Sequence, residues 1–281
     1  MSDENLYAPP QSNIEGRFSS PVLVAPTVFE AVGQAFRLFF EHIGPIVKLA
    51  LAIGMPVYLL KAGLYAVIPE TVNESWLRLL DLLDAAVDAV IIPTVAYLVV
   101  EASRTNRRPP LREALGWGLR SCGQVFLAGM FAGILTGIAT CLLVFPGIYV
   151  GVRLALVDAC VGLRGRSRNG IGTSWATVDG RWWKTFAAIT AMGLLVLVPL
   201  LLGGAAFGAL TVAIEEGMMG DLVWLEAWLD PALIFFAGLY ASLARPLMLL
   251  IGLVLYLSYR HGGIDAGEDD WIEDLGWVDP A

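Results

Sequence analysis

Charged side chains stand at six places in this chain where apolar residues surround them, and their spacing sets what chemistry is open to it. Asp81, Asp84 and Asp88 recur at i, i+3 and i+7. At about 3.6 residues per turn they fall within about 60° of one helix face, with Arg78 on the same side. Arg153 and Arg245 lie mid-way along two further apolar stretches, and Asp158 follows Arg153 by just over one turn. Ionisable groups at such positions are costly unless paired or hydrated, so each is a functional candidate. One reading of the acid face is a cation or proton path from the outer side with Asp88 deepest. The other makes residues 77–84 an amphipathic outer extension in which only Asp88 is embedded. Arginine keeps its proton and must find anions, carbonyls or water, and Asp88 and Asp158 are the partners at hand. For Arg153 the readings are a structural pair that fixes helix register or a contact to an anionic headgroup or substrate. Arg245 precedes Pro246, which frees a carbonyl one turn away. Lys48 and Lys61 lie near the ends of apolar stretches and can snorkel, with no function assigned.

Soluble catalysis finds no support. His42 and His261 are the two histidines, and no nucleophile–base set, Cys/His cluster or phosphate loop can be assembled. The expectation is a non-enzymatic protein without cofactor or metal, and without a nucleic-acid partner. Cys122, Cys141 and Cys160 form no disulfide or metal spacing, and three unpaired thiols are expected.

The elements that must hold these charges are helices in a membrane. Apolar residues make up 57% of the chain and charged ones 16%, and mean hydropathy is +0.69, whereas soluble domains carry about 25% charged residues. Stretches long enough to cross a hydrocarbon core of about 30 Å are 43–68, 77–100, 123–145, 147–163, 185–209 and 231–258. The fourth follows Phe145-Pro146-Gly147, which can kink one long helix or turn a hairpin. Positive residues favour the cytoplasmic side of short loops, and a hairpin puts Arg104, Arg107, Arg108, Arg112 and Arg120 on the same side as Arg164, Arg166, Arg168, Arg181 and Lys184. Segment 210–230, with five acids and no Lys or Arg, then lies outside and both termini inside. No cleavable signal peptide is read in the first twenty residues. Residues 1–26 are expected to be a disordered cytoplasmic tail, 27–258 the six-helix membrane domain, and 259–281 an acidic cytoplasmic tail.

A repeat orders the six spans. Glu30-Ala31-Val32-Gly33-Gln34-Ala35-Phe36-Arg37 matches Glu113-Ala114-Leu115-Gly116-Trp117-Gly118-Leu119-Arg120 in its small, bulky and charged positions, and Ile171-Gly172-Thr173-Ser174-Trp175 is a weaker third copy. Each precedes two apolar runs, so the fold class is all-α integral membrane: three hairpins, each preceded by an interfacial amphipathic helix, related as parallel repeats about an axis along the membrane normal. Thr27 with Glu30 forms a capping box for a helix starting near Val28, whose Phe29, Phe36 and Phe40 suit the interface. Trp182-Trp183-Lys184 is an anchor at headgroup depth. The carriers of mitochondrial type also have six spans and threefold order, but their proline–acid–base motif is absent.

Leu143-Val144-Phe145-Pro146-Gly147-Ile148-Tyr149, Arg153-Leu154-Ala155-Leu156, Ser174-Trp175 and Gly180-Arg181-Trp182-Trp183 together resemble the YciC-like superfamily of bacterial inner-membrane proteins. That superfamily is similar to the membrane domain ahead of some glycerophosphodiester phosphodiesterases. The resemblance implies six spans in the inner membrane and leaves function open; the hydrolase activity does not carry over, because the barrel and its paired histidines are missing. The leading expectation is a platform that binds membrane lipid or a protein partner. Its acidic tail, where Asp269, Asp270, Trp271 and Trp277 interleave charge with aromatic area, is a possible dock. The alternative is a transporter or permease with a polar path past Asp88, Arg153 and Arg245. A lipid-acting enzyme using Asp84 and Asp88 ranks third.

Overall fold

The structure, a computed structural model, describes residues 27–67, 74–105, 109–164, 170–215 and 226–261, and their side chains except at several helix ends, Asp81 among them. The expected N-terminal tail, residues 216–225 of the expected outer acidic segment, and residues 262–281 of the acidic tail, with Asp269, Asp270, Trp271 and Trp277, lie outside the described residues.

Every element among the described residues is helical. The first, α1 (Val28–Glu41), begins as its sequence requires: the Glu30 backbone N–H donates to Thr27 Oγ1 and the Thr27 N–H to the Glu30 carboxylate, each at 3.2 Å. Ala31, Ala35 and Leu38 form its buried stripe, small enough to bring the backbone close to its neighbours, while Phe29 and Phe40 face outward. His42 ends the helix by donating from Nδ1 to the Leu38 carbonyl at 3.0 Å. The chain then enters α2 (Ile43–Leu49), a π-helical turn (Ala50–Gly54) and α3 (Met55–Val67). That wide turn accommodates Pro56, which has no N–H for the carbonyl of Ala52 and whose ring would crowd it.

The next two helices are α4 (Glu74–Thr105) and α5 (Leu111–Leu142), which pack along each other. Gly118 makes this possible, because a Cβ there would overlap Thr94 Oγ1. Tyr97 donates to Glu113 at 2.6 Å across the same seam. The second expected interfacial segment, Glu113–Arg120, is corrected here: it forms the opening turns of α5 and is continuous with the span. A 32-residue helix is about 48 Å long, so its first turns extend beyond a hydrocarbon core without any break.

At Leu143 one extended residue (φ −164°, ψ 147°) separates α5 from α6 (Val144–Leu154). Gly147 lies against Thr140, and a Cβ on Gly151 would stand 3.4 Å from Thr136. These two pairings run in opposite senses along the chain, so the backbone folds back here and does not kink. The fourth stretch, expected as one helix, is interrupted: α6 ends, Ala155 (φ −63°, ψ −19°) and Leu156 form a turn in which the Ala155 N–H bonds the Val152 carbonyl, and α7 (Val157–Arg164) restarts the α-helical pattern. The cause is a competitor for a carbonyl. Ser174 Oγ donates to the Arg153 carbonyl at 2.7 Å, the acceptor that the Val157 N–H would use in an unbroken helix.

Ser174 belongs to α8 (Gly170–Val178), which is stopped by Gly180 at φ +69°, a left-handed conformation that glycine adopts without a Cβ penalty. Two long helices complete the fold, α9 (Trp182–Glu215) and α10 (Glu226–His261). The α10 C-terminus is held by Arg181, which donates to the Tyr259 carbonyl at 2.7 Å and lies over its ring. Tyr240 donates to the Val196 carbonyl farther along, so α9 and α10 are antiparallel. α3 packs chiefly on α10.

Six helical stretches are long and apolar enough to cross a membrane: Ile43–Leu64, Leu82–Ser103, Leu111–Leu142, Val144–Leu163, Trp182–Ile214 and Pro231–Tyr259. They are unequal in burial. The second is 56% buried within the molecule, the third and fifth only 6% and 11%, so α5 and α9 form the flanks. The centre is residues 249–259 of α10 with Val95–Val99 of α4, all buried.

Candidate site at a broken helix

A cavity of about 300 Å³ lies where α4, α7, α9 and α10 meet, lined among others by Asp88, Ala155, Asp158, Ile189, Arg245 and Gly252. Its position follows from the break in the fourth span. Irregular backbone at membrane depth is tolerated where it is covered by protein or lines a cavity, and Ala155, the first residue beyond α6, is part of this wall. At Gly252 α10 faces the Ala155 carbonyl and Leu156.

Charge in the cavity is unbalanced. Arg245 Nη1 meets Asp88 Oδ2 at 2.5 Å, which joins α10 to α4. Asp158, in the first turn of α7, makes no hydrogen bond or ion pair among the described residues. The helix N-terminus at α7 favours a carboxylate there, but Asp88 lies within electrostatic reach and opposes it. Two carboxylates and one guanidinium leave the site at −1.

One turn before Asp88, Asp84 accepts from Lys61 Nζ at 3.0 Å. Tyr58 and Ser242 stand beside this pair on α3 and α10, and Gly54 is a glycine because a Cβ would run into both. Gly238 is likewise occupied by the Tyr58 ring. The hydroxyls of Tyr58 and Ser242 are buried within hydrogen-bonding reach of each other, and neither they nor Asp84 Oδ1 has another partner among the described residues. Such groups cost about 1–3 kcal/mol each when unsatisfied.

Arg153 belongs to a different corner. It donates from Nη1 to the Trp175 carbonyl at 3.0 Å, and from Nη2 to Tyr149 Oη at 2.8 Å and Asp179 Oδ1 at 2.7 Å. The rings of Tyr149 and Trp175 each lie 5.2 Å from its guanidinium carbon. The Trp175 carbonyl is one of the last four of α8, which no helical N–H can satisfy, so Arg153 caps that helix.

Of the residues singled out from sequence, the structure brings together Asp88, Asp158 and Arg245, with Asp84 one turn away. Arg153 is not with them, and its ion-pair partner is Asp179 rather than Asp88 or Asp158. Asp81 is helical, with its side chain outside the description. Lys61 does not snorkel; its residue is 8% exposed and it is committed to Asp84. Sequence reasoning missed Lys61, Tyr58 and Ser242. The available signal was a matched spacing: Tyr58/Lys61 and Ser242/Arg245 recur at i, i+3 opposite Asp84/Asp88 at i, i+4. Cys122, Cys141 and Cys160 form no disulfide. Among the described residues no three His, Cys, Asp or Glu side chains converge as metal ligands. No family model, curated protein or solved structure matches the chain.

Proposed function

We propose that this chain is a multi-pass inner-membrane protein of the YciC-like kind whose bundle binds and passes a small positively charged species through the Asp88–Asp158–Arg245 cavity. The reading takes the six spans as three hairpins with both termini cytoplasmic. The reading takes the protein as non-enzymatic. One observation carries it: Asp158 is a carboxylate at a helix break, unpaired among the described residues and facing a cavity that already holds an ion pair. Broken helices with charged groups at their inner ends are how membrane transporters build midplane sites, and an intramembrane carboxylate without a partner is retained at a cost. Arg153, expected on this path from sequence, is left out of it.

The second reading, a platform for lipid or a protein partner, is favoured by the flanks. Phe29, Phe40 and Trp183 are exposed at 88%, 62% and 75%, the aromatic area that suits headgroup depth.

Thiol access separates the two. With Cys122, Cys141 and Cys160 replaced by serine or alanine, Met248→Cys places a thiol in the cavity wall. A cationic methanethiosulfonate is expected to modify it faster than an anionic one. Equal, slow reaction with both would count against a cation path and leave the platform.

A further inference from the structure

We propose that the species handled at this site is the proton, carried along a track from Asp158 through the Asp88–Arg245 pair to the Tyr58, Ser242 and Asp84 oxygens; this rests on the cavity being a path. The track is built from α3, α4, α7 and α10. The charged groups facing Asp158 are Asp88 from α4 and Arg245 from α10, while α9 contributes Ile189 to the wall. Tyr58 lies within electrostatic reach of Asp84, Asp88 and Arg245. Lys61 closes the far end on Asp84.

Three features select a proton over a metal ion. Asp84 and Asp88 each already hold a fixed cation on one oxygen, which a metal ion would have to displace. The buried oxygens beside the pair are a carboxylate oxygen, Asp84 Oδ1, and the two hydroxyls of Tyr58 and Ser242, which face each other. Hydroxyls both give and take a proton, so a chain of them relays one without changing its own charge. Finally, they sit beside a π-helical turn, Ala50–Gly54, a distortion frequent at functional sites.

The transfer balances. Hydronium on one face gives a proton to the Asp158 carboxylate and is left as water, while the carboxylate becomes the neutral acid. As that proton leaves towards Ser242 and Tyr58, each hydroxyl accepts one proton and releases another, and Asp84 passes the last to water at the other face.

The test is charge displacement in proteoliposomes of the full chain adsorbed on a solid-supported membrane. An acid jump at constant sodium is expected to displace charge. Asp158→Asn should lose the signal, and Tyr58→Phe, which keeps the ring against Gly238 and removes the hydroxyl, should slow it. A response to a sodium jump at constant pH with none to acid would overturn the proton assignment, as would silence to both jumps or an acid response unchanged in Asp158→Asn. An unaltered time course in Tyr58→Phe would overturn the track. The cavity reading is scored separately: if the acid jump is silent while Met248→Cys still reacts selectively with the cationic reagent, only the proton falls, and if Met248→Cys shows no such selectivity, both fall.

Discussion

Arg153 and Arg245 are both arginines within apolar spans, and the protein treats them differently. Arg153 has a hydroxyl, a carbonyl, a carboxylate and two aromatic faces arranged around one planar group, and it fastens α6 to the end of α8. Arg245 has a single carboxylate partner and borders a cavity with a second carboxylate beyond it. A guanidinium held through both terminal nitrogens and both faces is a joint, because moving it breaks every contact at once. One held by a single ion pair at the edge of open space leaves the rest of its surroundings to a bound species, which is what a binding site needs. Charge within a span is therefore not by itself a sign of function; the number of its partners is what distinguishes the two corners.

Substitutions can break this contrast, beginning with the ion pair. Arg245→Met leaves Asp88 without its cation and is expected to destabilise the protein by about 2–3 kcal/mol, below the 3–5 kcal/mol of a wholly buried pair because the Asp88 and Arg245 side chains are 22% and 35% exposed. Adding Asp88→Asn should recover most of that loss, as a double-mutant cycle by equilibrium unfolding in detergent would read. At the other corner Arg153→Lys keeps the charge but not the planar fork, so it cannot serve Tyr149, Trp175 and Asp179 together; a loss of about 1–2 kcal/mol is expected, by the same assay. Asp158→Asn has the opposite sign. Removing an unpaired carboxylate from a span should stabilise by about 1 kcal/mol, a gain of the kind that accompanies loss of function, and its melting temperature should rise. The smallest effect belongs to Asp179→Asn, at or below about 0.5 kcal/mol, because its side chain is 72% exposed and exposed ion pairs contribute little. A loss as large as that of Arg153→Lys would mean that the salt bridge, and not the cap on α8, holds Arg153.

The legible parts of this fold are those whose causes are local. Thr27 and Glu30 cap α1 with atoms three residues apart, so the helix start was readable. The turn-back at Phe145-Pro146-Gly147 followed from charge placement on either side of it, although the bend itself falls at Leu143. The shared face of Asp84 and Asp88 followed from helix period. What could not be read depends on contacts distant in sequence. The break at Ala155 exists because a hydroxyl 21 residues away takes the Arg153 carbonyl, and no proline or glycine marks it. That break turns Arg153 towards α8 and Asp158 towards the cavity, so the two were grouped wrongly as partners. Lys61 was read as snorkelling because its burial against Asp84, 23 residues on, is a property of helix packing. The fusion of Glu113–Arg120 with its span had no signal either, since the repeat it belongs to begins α1 as a separate helix and α5 as a continuous one.

The most direct measurement is a structure of the full chain in a lipid nanodisc at a resolution that shows ordered water. The expected result is water or another small species in contact with the Asp158 carboxylate and the Ala155 carbonyl, with Arg245 on Asp88 and Arg153 on Asp179. A dry, closed bundle in which Asp158 is paired with a protein side chain would contradict a path through this cavity.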